Sequence, residues 1–215
     1  MFSQKIETLI NHSVINLDSF HPSPATDYTR DELINLYWQY HPRFKSFKVF
    51  SPQNSKVLDL GSGSGGLHFW KEFLLPFRND LKMTAVDLSE GIYFEQYEEY
   101  AVLNLDESDL PFPDQSFDYI ISSHLIEHIA DWKYNIESCN KVLKPNGIMY
   151  IETPSKHTVD LPQKDFFIEK GFLCQITNFF DDGTHIETID LDIVNEYANS
   201  MGLIALEKGF CKNPF

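Results

Sequence analysis

Residues 57–66 constrain the fold more than any other part of the chain. They read Val-Leu-Asp-Leu-Gly-Ser-Gly-Ser-Gly-Gly, an apolar run that contains Asp59 and then breaks into alternating glycines. Glycine has no Cβ and tolerates positive φ, so this loop can turn tightly and bring its backbone close to a ligand. An apolar strand that ends in such a loop indicates a parallel α/β sheet with a binding site at the carboxyl end of the strand.

A second apolar run also ends in an acidic residue. Residues 83–86 are Met-Thr-Ala-Val, and Asp87 follows them. It stands about twenty residues past the glycines, the spacing at which an acidic side chain accepts hydrogen bonds from a ribose. Because neighbouring parallel strands end at the same edge of a sheet, the two segments together predict a nucleoside-cofactor site.

Strands alternate with helices after the first 50 residues or so, which predicts an α/β fold with a mostly parallel central sheet between helical layers, a three-layer sandwich. The predicted strands are residues 56–60, 82–87, 100–105, 117–122 and 147–152, with a last candidate at 203–207. The predicted helices are residues 65–77, 92–99, 129–143 and 191–201. We expect a single domain over residues 1–215, with its cofactor-binding core at 55–152.

Residues 1–50 are rich in aromatic side chains and carry a helix signal. Thr29 precedes Arg-Asp-Glu, a pattern typical of a helix N-cap with acidic residues in the first turn. Apolar side chains then recur at helical spacing. They are Leu33, Ile34, Tyr37 and Trp38. We predict an N-terminal helical cap that packs on, or covers, the main domain.

The alternation of strands and helices fails over residues 153–190. Four prolines and glycines interrupt a stretch that carries five phenylalanines. Long irregular segments inside a compact domain are usually functional, and this one follows the fifth predicted strand, over the ligand-binding edge of the sheet. We interpret it as a substrate lid; a helical insertion that only packs is the alternative.

The glycines alone fit two classes of cofactor. Gly61, Gly63 and Gly66 satisfy the G-x-G-x-x-G pattern of dinucleotide-binding proteins, which would make the chain a nicotinamide-dependent oxidoreductase. A pyrophosphate, however, prefers backbone N–H groups with no carboxylate beside them. Asp59 stands two residues before the first glycine, where it would repel a pyrophosphate and favour a cationic group such as an ammonium.

Five motifs in order resemble those of class I S-adenosylmethionine-dependent methyltransferases, in the broad methyltransferase type 11 group. Besides the glycine loop they are 85–89 (Ala-Val-Asp-Leu-Ser), 106–118 (Asp-Glu-Ser-Asp-Leu-Pro-Phe-Pro-Asp-Gln-Ser-Phe-Asp), 121–128 (Ile-Ser-Ser-His-Leu-Ile-Glu-His) and 142–147 (Val-Leu-Lys-Pro-Asn-Gly). The resemblance covers roughly residues 55–152. It implies a Rossmann-like methyltransferase fold of the seven-stranded type, methyltransferase activity and S-adenosyl-L-methionine as the cofactor.

The resemblance also implies which residues hold the cofactor. Asp59 and the glycine loop would surround its methionine half, and Asp87 would bind both ribose hydroxyls through charge-assisted hydrogen bonds. Asp106 would meet the adenine amino group, with Leu88 and Leu105 on either side of the ring. The implied cofactor-binding residues are Asp59, Gly61, Ser62, Gly63, Gly65, Asp87, Leu88, Asp106, Glu107, Ser123, His124 and Tyr28. Tyr28 is included because an N-terminal aromatic ring can close over the cofactor and attract its sulfonium.

Methyl transfer from a sulfonium is an in-line displacement that chiefly requires alignment and exclusion of water. A general base is needed where the acceptor must lose a proton early, as a hydroxyl does. His124 leaves the fourth predicted strand beside the expected methyl group and is the candidate base; the alternative is a side chain that only lines the pocket.

Glu127 and His128 are interpreted as a helical turn in which Glu127 caps and His128 packs. His157 and His185 flank the predicted lid.

A metal is a further possibility that the spacing of histidines raises. His124 and His128 are four residues apart, which suits two metal ligands on one face of a helix. No third ligand follows at a telling distance, so we expect a reaction without a metal.

The charge of the chain limits the classes of methyl acceptor that we expect. A net charge of −15 opposes a phosphate backbone as substrate, because like charges repel over long range. We therefore expect no nucleic-acid partner and a small-molecule or glycan-type acceptor, with O- or N-methylation favoured over C-methylation. An inactive cofactor-binding module of the same fold stays open as a third alternative, and so does the oligomeric state.

Cysteine usage and the apolar pattern indicate the compartment. Cys139, Cys174 and Cys211 show no metal or disulfide spacing, which is typical of reduced thiols. No stretch of about eighteen apolar residues is present, and the first residues lack the apolar core of a signal peptide. We expect a cytoplasmic protein with no membrane partner.

Overall fold

A five-stranded parallel sheet organises the chain. The computed structural model describes residues 29, 32, 41–73, 75–172 and 176–211. The strands are β1 (Lys56–Leu60), β2 (Lys82–Asp87), β3 (Glu99–Val102), β4 (Phe117–Ser123) and β5 (Leu143–Glu152). They lie in the order β3-β2-β1-β4-β5, and each neighbouring pair is parallel.

Helices connect the strands and flank the sheet. Within the described ranges the α-helices are α1 (Pro42–Phe50), α2 (Leu67–Phe73), α3 (Trp132–Val142), α4 (Lys164–Glu169) and α5 (Leu191–Ser200). Short 3-10 turns occur at Phe94–Gln96, Ile126–His128, Lys156–Asp160 and Phe179–Asp181. None of these helices has the length and apolar character that crossing a membrane requires.

Successive side chains of β1 point to opposite faces of the sheet. Val57 lies in a core cluster with Phe44 and Phe47 of α1, whereas Leu58 lies in a second cluster with Cys139 of α3. Helices therefore cover both faces, which explains why the inner strands are almost wholly apolar. The predicted α/β class and three-layer arrangement are confirmed.

The strand order places the ligand site. From β1 the chain continues to β2 and β3 on one side and then returns to β4 on the other side. Leu60, the last residue of β1, is paired with Val86 of β2 and with Ser122 of β4. In an open α/β sheet the crevice at such a switch point, outside the carboxyl ends of the strands, is where ligands bind.

The strand boundaries follow the apolar runs closely. β1 and β2 have the predicted bounds, and β4 ends one residue later than predicted. β3 is shorter than the predicted 100–105, and β5 begins at Leu143, before the predicted 147–152. Helices α2, α3 and α5 lie within the predicted 65–77, 129–143 and 191–201.

The predicted helix at residues 92–99 is wrong. The segment forms only the 3-10 turn Phe94–Gln96. The backbone N–H of Tyr93 donates to the Ser64 carbonyl (3.0 Å), and that of Glu98 donates to the Met83 carbonyl (3.1 Å). These bonds hold the segment against the glycine loop and β2, so an α-helix cannot form over it.

The predicted strand at residues 203–207 is also wrong. Gly202 has a φ of +85°, and the N–H groups of Gly202 and Leu203 close the end of α5 by bonding to the carbonyls of Asn199 and Ala198. The following apolar side chains lie exposed, with Ile204 at 81%. Alternating apolar residues form a strand only where a neighbouring strand is placed to form backbone hydrogen bonds with them. The sheet in the described residues therefore has five strands, fewer than the seven-stranded type.

Helix α1 is the described part of the predicted N-terminal cap. Pro42 occupies its first turn, where the missing N–H has no cost. Phe44 and Phe47 are buried, and the helix packs against β4 and β5.

An earlier helix start is visible at Thr29 and Glu32. The Thr29 N–H donates to Oε2 of Glu32 (2.8 Å), and the Glu32 N–H donates to Oγ1 of Thr29 (3.3 Å). This reciprocal pair is the N-cap that the sequence predicts. Tyr28, Tyr37 and Trp38 lie outside the described residues.

Residues 153–190 are partly helical, since they contain α4 and two 3-10 turns. The Asp181 carboxylate organises their middle. It accepts the backbone N–H groups of Lys164 (3.0 Å), Thr177 (2.8 Å) and Asn178 (2.8 Å). Their role as a lid stays a prediction.

Candidate functional site

The glycine loop is tied to the end of β2. The N–H groups of Gly61 and Ser62 both donate to the Val86 carbonyl, at 2.9 and 3.2 Å. Gly61 has a φ of +72°, and a Cβ at this position would lie 2.9 Å from the Leu125 side chain. A side chain is therefore excluded by both conformation and space, as the sequence predicts for a tight turn.

The loop also contacts the acid that follows β2. The Gly63 N–H donates to Oδ2 of Asp87 at 2.8 Å, and the Ser89 N–H approaches Oδ1 at 3.3 Å. Gly65, in the same loop, has a φ of +81°, a conformation that glycine adopts without strain. These bonds hold the Asp87 carboxylate at the mouth of the loop, and its remaining lone pairs are free to accept hydrogen bonds from a vicinal diol.

Gly91 is a residue of the site that the sequence motifs did not indicate. A Cβ at Gly91 would lie 2.4 Å from the Gly63 carbonyl oxygen and 2.5 Å from the Phe94 ring. The segment after β2 therefore closes directly on the backbone of the glycine loop, and only glycine fits there.

Asp59 is buried at the carboxyl end of β1, with 6% of its surface exposed. The Tyr97 hydroxyl donates to its Oδ2 at 2.5 Å. Burial raises the pKa of Asp59 to about 7, although the Tyr97 hydrogen bond and the charge of Arg43 both act to lower it. The site therefore holds a carboxyl group that ionises near neutrality and that a positive ligand would favour in its charged form.

A cleft of about 320 Å³ opens beside Asp59. Its lining comes from the glycine loop, from the ends of β1 and β4, and from helices α1 and α2. The lining residues are Arg43, Phe44, Asp59, Gly61, Ser62, Gly63, Ser64, Gly66, Leu67, Trp70, Ile121 and Ser123. Backbone N–H donors, a buried carboxylate and aromatic rings thus surround one space, a donor set that fits a ligand carrying an ammonium and a sulfonium.

The predicted adenine side of the site lies along the ends of β2 and β3. Asp106 is exposed, and its Oδ1 accepts the Ala130 N–H at 2.8 Å. Glu107 is exposed beside it. Leu88 is 70% exposed, whereas Leu105 is only 8% exposed and packs in the core. Leu88 is thus the more accessible of the two side chains predicted to flank the adenine.

His124 lies at the end of β4 in an unusual backbone conformation. Its φ is +53°, which a non-glycine residue seldom adopts and which indicates a functional or structural constraint. Its N–H donates to the Glu152 carbonyl at 2.8 Å. Ring atom Nδ1 lies 3.3 Å from Oε1 of Glu127, Nε2 lies 3.7 Å from Oε1 of Glu152, and 42% of the side chain is exposed.

Glu152 and Arg43 belong to the same network, although sequence reasoning did not single them out. The Arg43 Nε and the Ser123 hydroxyl both donate to Oε2 of Glu152 at 3.0 Å. Burial acts to raise the pKa of Glu152, but Arg43, His124 and Ser123 outweigh it and lower the pKa below the ordinary value. Glu152 ends the fifth predicted strand, so the strand-end rule that found Asp59 could have found it. Arg43 had no comparable signal.

A broader open cleft, of about 2,940 Å³, lies on the other side of Arg43. It is lined by β5, by residues of the 153–190 segment and by the stretch after α5, and His124 faces it. Arg43 lines both clefts. His124 lines the broader cleft but not the cleft beside Asp59, which we call the cofactor-side cleft; its neighbour Ser123 lines the latter.

Comparison with known proteins decides the family. A family model described as a methyltransferase domain matches residues 32–206. The chain belongs to this methyltransferase family. The match decides between the two cofactor classes that the glycines left open, and it confirms the prediction of a class I methyltransferase. S-adenosylmethionine is the cofactor, not a nicotinamide dinucleotide.

Curated relatives share modest identity with this methyltransferase. The mitochondrial ubiquinone biosynthesis O-methyltransferase of Mus musculus is 26% identical over 165 residues, which is 74% of this chain and 41% of that protein. The demethylmenaquinone methyltransferase of Chlorobaculum parvum is 26% identical over 203 residues, which is 90% of this chain and 83% of that protein. The chain thus spans less than half the length of the mouse relative.

Solved methyltransferase structures share the fold. The SAM-dependent methyltransferase from Archaeoglobus fulgidus has a TM-score of 0.55 at 21% identity, and the match covers 80% of this chain and 68% of that one. The putative methyltransferase solved in complex with the Haloferax volcanii Trm112 activator has a TM-score of 0.56 at 21% identity, covering 83% and 74%. These likenesses support the architecture described above.

Proposed function

We propose that the protein transfers a methyl group from S-adenosylmethionine to a hydroxyl group of a small-molecule acceptor, with His124 as the general base. The observation that carries the proposal is the placement of His124. It is held at a φ of +53° where β4 ends, with its ring between the carboxylates of Glu127 and Glu152. This is the edge at which the cofactor-side cleft meets the broader cleft.

Bound S-adenosylmethionine supplies a methyl group on a sulfonium, with sulfur as the leaving group. Asp59 would accept a hydrogen bond from the ammonium of the ligand, since Tyr97 occupies only Oδ2. The glycine loop would let the ligand approach the backbone closely, Asp87 would bind the ribose hydroxyls, and Asp106 would meet the adenine amine. These assignments rest on the position of each residue at the carboxyl edge of the sheet.

The two carboxylates beside His124 determine which ring nitrogen faces an acceptor. Its Nδ1 is within hydrogen-bond distance of Glu127 at 3.3 Å, whereas the 3.7 Å from Nε2 to Glu152 is too long for a hydrogen bond. Nε2 is thus the nitrogen that can take a proton from an acceptor hydroxyl. Arg43 helps to keep Glu152 ionised, so a carboxylate lies near Nε2.

The acceptor side favours an apolar ring that carries a hydroxyl. Met149, Ile151, Leu161 and Phe167 contribute to the lining of the broader cleft. Two relatives carry names of quinone-biosynthesis methyltransferases, one of them an O-methyltransferase. The charge of −15 makes a polyanionic acceptor unfavourable. We therefore propose a phenol or quinol as the acceptor class.

Product analysis tests the reaction. The protein is incubated with methyl-labelled S-adenosylmethionine and, separately, with catechol, a naphthoquinol and a neutral oligosaccharide. We expect labelled methyl ether from a phenolic probe. A product methylated on carbon, or label in the oligosaccharide alone, would overturn the proposed acceptor chemistry. Cofactor binding without any product would favour the inactive module.

The base is tested with His124→Asn, because asparagine tolerates the left-handed conformation but cannot act as the base. We expect kcat to fall about 100-fold, the lower end of what general-base catalysis supplies, with the cofactor Kd nearly unchanged. A variant that keeps the wild-type kcat would show that His124 only lines the pocket.

A further inference from the structure

Three potential metal ligands meet where the 153–190 segment touches the end of β4. They are Glu127 and His128 of the 3-10 turn after β4, and His185. One nitrogen or oxygen atom from each lies within 4.8 Å of the others. We propose that these residues bind a divalent transition-metal ion such as Zn²⁺. The proposal is independent of which acceptor the methyltransferase uses.

The hydrogen bond of His185 prepares it as a ligand. Its Nδ1 lies 2.6 Å from the Phe179 carbonyl oxygen. A carbonyl oxygen only accepts, so Nδ1 carries the proton and Nε2 of the neutral ring has a free lone pair. Metal-bound histidines are oriented in this way, with the second ring nitrogen donating to a backbone carbonyl.

A chain of hydrogen bonds fixes His128 in the same tautomer. The Thr184 hydroxyl donates its single proton to Oδ1 of Asp182 at 2.6 Å. It can therefore only accept from Nδ1 of His128, which lies 3.0 Å away. Nε2 of His128 is thus also left with its lone pair. Both imidazoles are held in the form that a metal requires.

Glu127 supplies a carboxylate that lacks a partner for one of its oxygens. Its side chain is fully buried at 0% exposure, and among the described residues Oε2 has no hydrogen-bond partner. A buried carboxylate oxygen without a partner is costly and calls for an explanation. A cation between Glu127, His128 and His185 would satisfy it.

The donor set indicates the class of metal. Two imidazole nitrogens and one carboxylate oxygen suit Zn²⁺ and neighbouring transition metals better than Mg²⁺ or Ca²⁺, which prefer oxygen ligands. Three protein ligands also leave one tetrahedral position for water or another oxygen ligand. His185 lies far along the chain from Glu127 and His128, which is why spacing in the sequence suggested no third ligand.

Such an ion would join the 153–190 segment to the sheet. Two hydrogen bonds among the described residues already link the two parts: the Thr184–His128 bond described above, and a bond from the Ile186 N–H to the Glu127 carbonyl at 2.8 Å. Glu127 also contacts His124 through its other oxygen. A metal at this place would therefore fix the segment beside the proposed base.

Metal titration tests the site. Untagged protein, first treated with a chelator, is titrated with Co²⁺ for its visible absorption and with Zn²⁺ against a chromophoric chelator. We expect one ion per chain and the intense visible bands of four-coordinate Co²⁺. His128→Ala and His185→Ala should each weaken binding at least 100-fold. His157→Ala, at an exposed histidine outside the cluster, should bind as the wild type does.

A second pair of variants avoids altering any ligand, since the His185 ring also packs on Phe179 and its removal can disturb the segment. Thr184→Val removes the acceptor that fixes His128, and we expect affinity to fall 10- to 100-fold, as it does when outer-shell partners are lost. Thr184→Ser keeps the hydroxyl and should restore it. The proposal would be overturned if the protein took up no stoichiometric metal ion. It would also be overturned if the wild type, His128→Ala and Thr184→Val bound the metal ion with equal affinity.

Discussion

Burial raises the pKa of Asp59 to about 7, and among the described residues the Tyr97 hydroxyl alone donates a side-chain hydrogen bond to it. The folded-state value of about 7 lies above the ordinary value of 3.8. Between these two values the folded protein holds a proton that the unfolded chain has lost. Without ligand, the contribution of Asp59 to stability therefore falls as the pH rises from roughly 4 to 7.

Cofactor binding should favour the ionised form of Asp59, because an ammonium beside the side chain stabilises the carboxylate. We predict that the Kd for S-adenosylmethionine falls about fivefold between pH 6 and pH 7, as the fraction of ionised Asp59 rises while the ligand's α-amino group stays mostly protonated. Isothermal titration at a series of pH values measures it. In Asp59→Asn the Kd should be weaker and nearly independent of pH over this range.

Tyr97 provides the matched test, since its hydroxyl stabilises the charged form of Asp59. Tyr97→Phe removes that hydrogen bond and should move the midpoint of the Kd profile upward by about one pH unit. A midpoint that stays in place would mean that Tyr97 only packs against the glycine loop.

The close approach of Gly91 to Gly63 gives a prediction of stability. Gly91→Ala would place a methyl group 2.4 Å from a backbone oxygen that cannot move freely. We expect a loss of roughly 2–3 kcal/mol in the free energy of unfolding, measured in urea, and weaker cofactor binding. Gly183→Ala is the control, because nothing lies within 4 Å of the added methyl group. Equal losses in both variants would contradict this account.

At the level of residues, the sequence indicated those groups that stand directly at strand ends. Asp59, Asp87 and His124 were found because each follows an apolar run, and Glu152 obeys the same rule. Tyr97 and Arg43 reach the site from a turn and from α1. Their positions depend on tertiary packing, which no local pattern encodes.

Among the elements, the end of α1 is tied to the loop before β2 by one arginine. The Arg78 guanidinium donates to the carbonyls of Ser51 (3.0 Å) and Pro52 (2.8 Å), just after α1, and to that of Lys48 within it. It also forms a two-bond pair with Asp80, at 2.8 and 2.9 Å. The hydrogen bonds from Arg78 hold the pKa of Asp80 well below its ordinary value.

Replacing this arginine should loosen α1. Arg78→Lys cannot reproduce the planar fork, and we expect a loss of about 2–3 kcal/mol in unfolding free energy because several carbonyls lose their donor. Chemical denaturation measures it. Lys141→Gln is the control: Lys141 is 58% exposed and 3.9 Å from Asp109, a surface pair that should contribute well under 1 kcal/mol. A fully stable Arg78→Lys would show that the bonds from Arg78 are not needed to hold the helix.

Element prediction succeeded where an apolar run was long and had a partner. The runs of β1 and β2 are buried on both faces, so their bounds follow the sequence. Residues 92–99 have helical composition, but bonds from Tyr93 and Glu98 to neighbouring segments prevent the helix. Residues 203–207 alternate like a strand, but the cap at Gly202 ends α5 without bringing them to an edge of the sheet. In both segments tertiary contacts outweigh local propensity.

For the molecule as a whole, the cofactor-side cleft and the broader cleft share one side chain, Arg43, which α1 contributes. Helix α1 precedes every strand in the chain, so the site is complete only when this early segment is docked. Ligand binding and docking of α1 are therefore linked equilibria.

Amide hydrogen exchange with and without the cofactor measures this linkage. If opening of α1 removes the site, the amides of α1 should exchange about 100-fold more slowly at a cofactor concentration of 100 times the Kd. Helix α5 does not line the cofactor-side cleft. The exchange rates of its amides should therefore fall only for those amides that exchange through global unfolding. Equal protection in both helices would show that α1 does not open by itself.

The same linkage has a consequence for synthesis of the chain on the ribosome. Residues 42–50 are made before any of the five strands, but Phe44 and Phe47 are buried against strands that are made later. Their rings are covered from all sides only after β4 and β5 have left the ribosome. Among the described residues β5 is the last strand of the sheet, and it brings Glu152 to Arg43, so this network of the site is assembled only after β5 has been made.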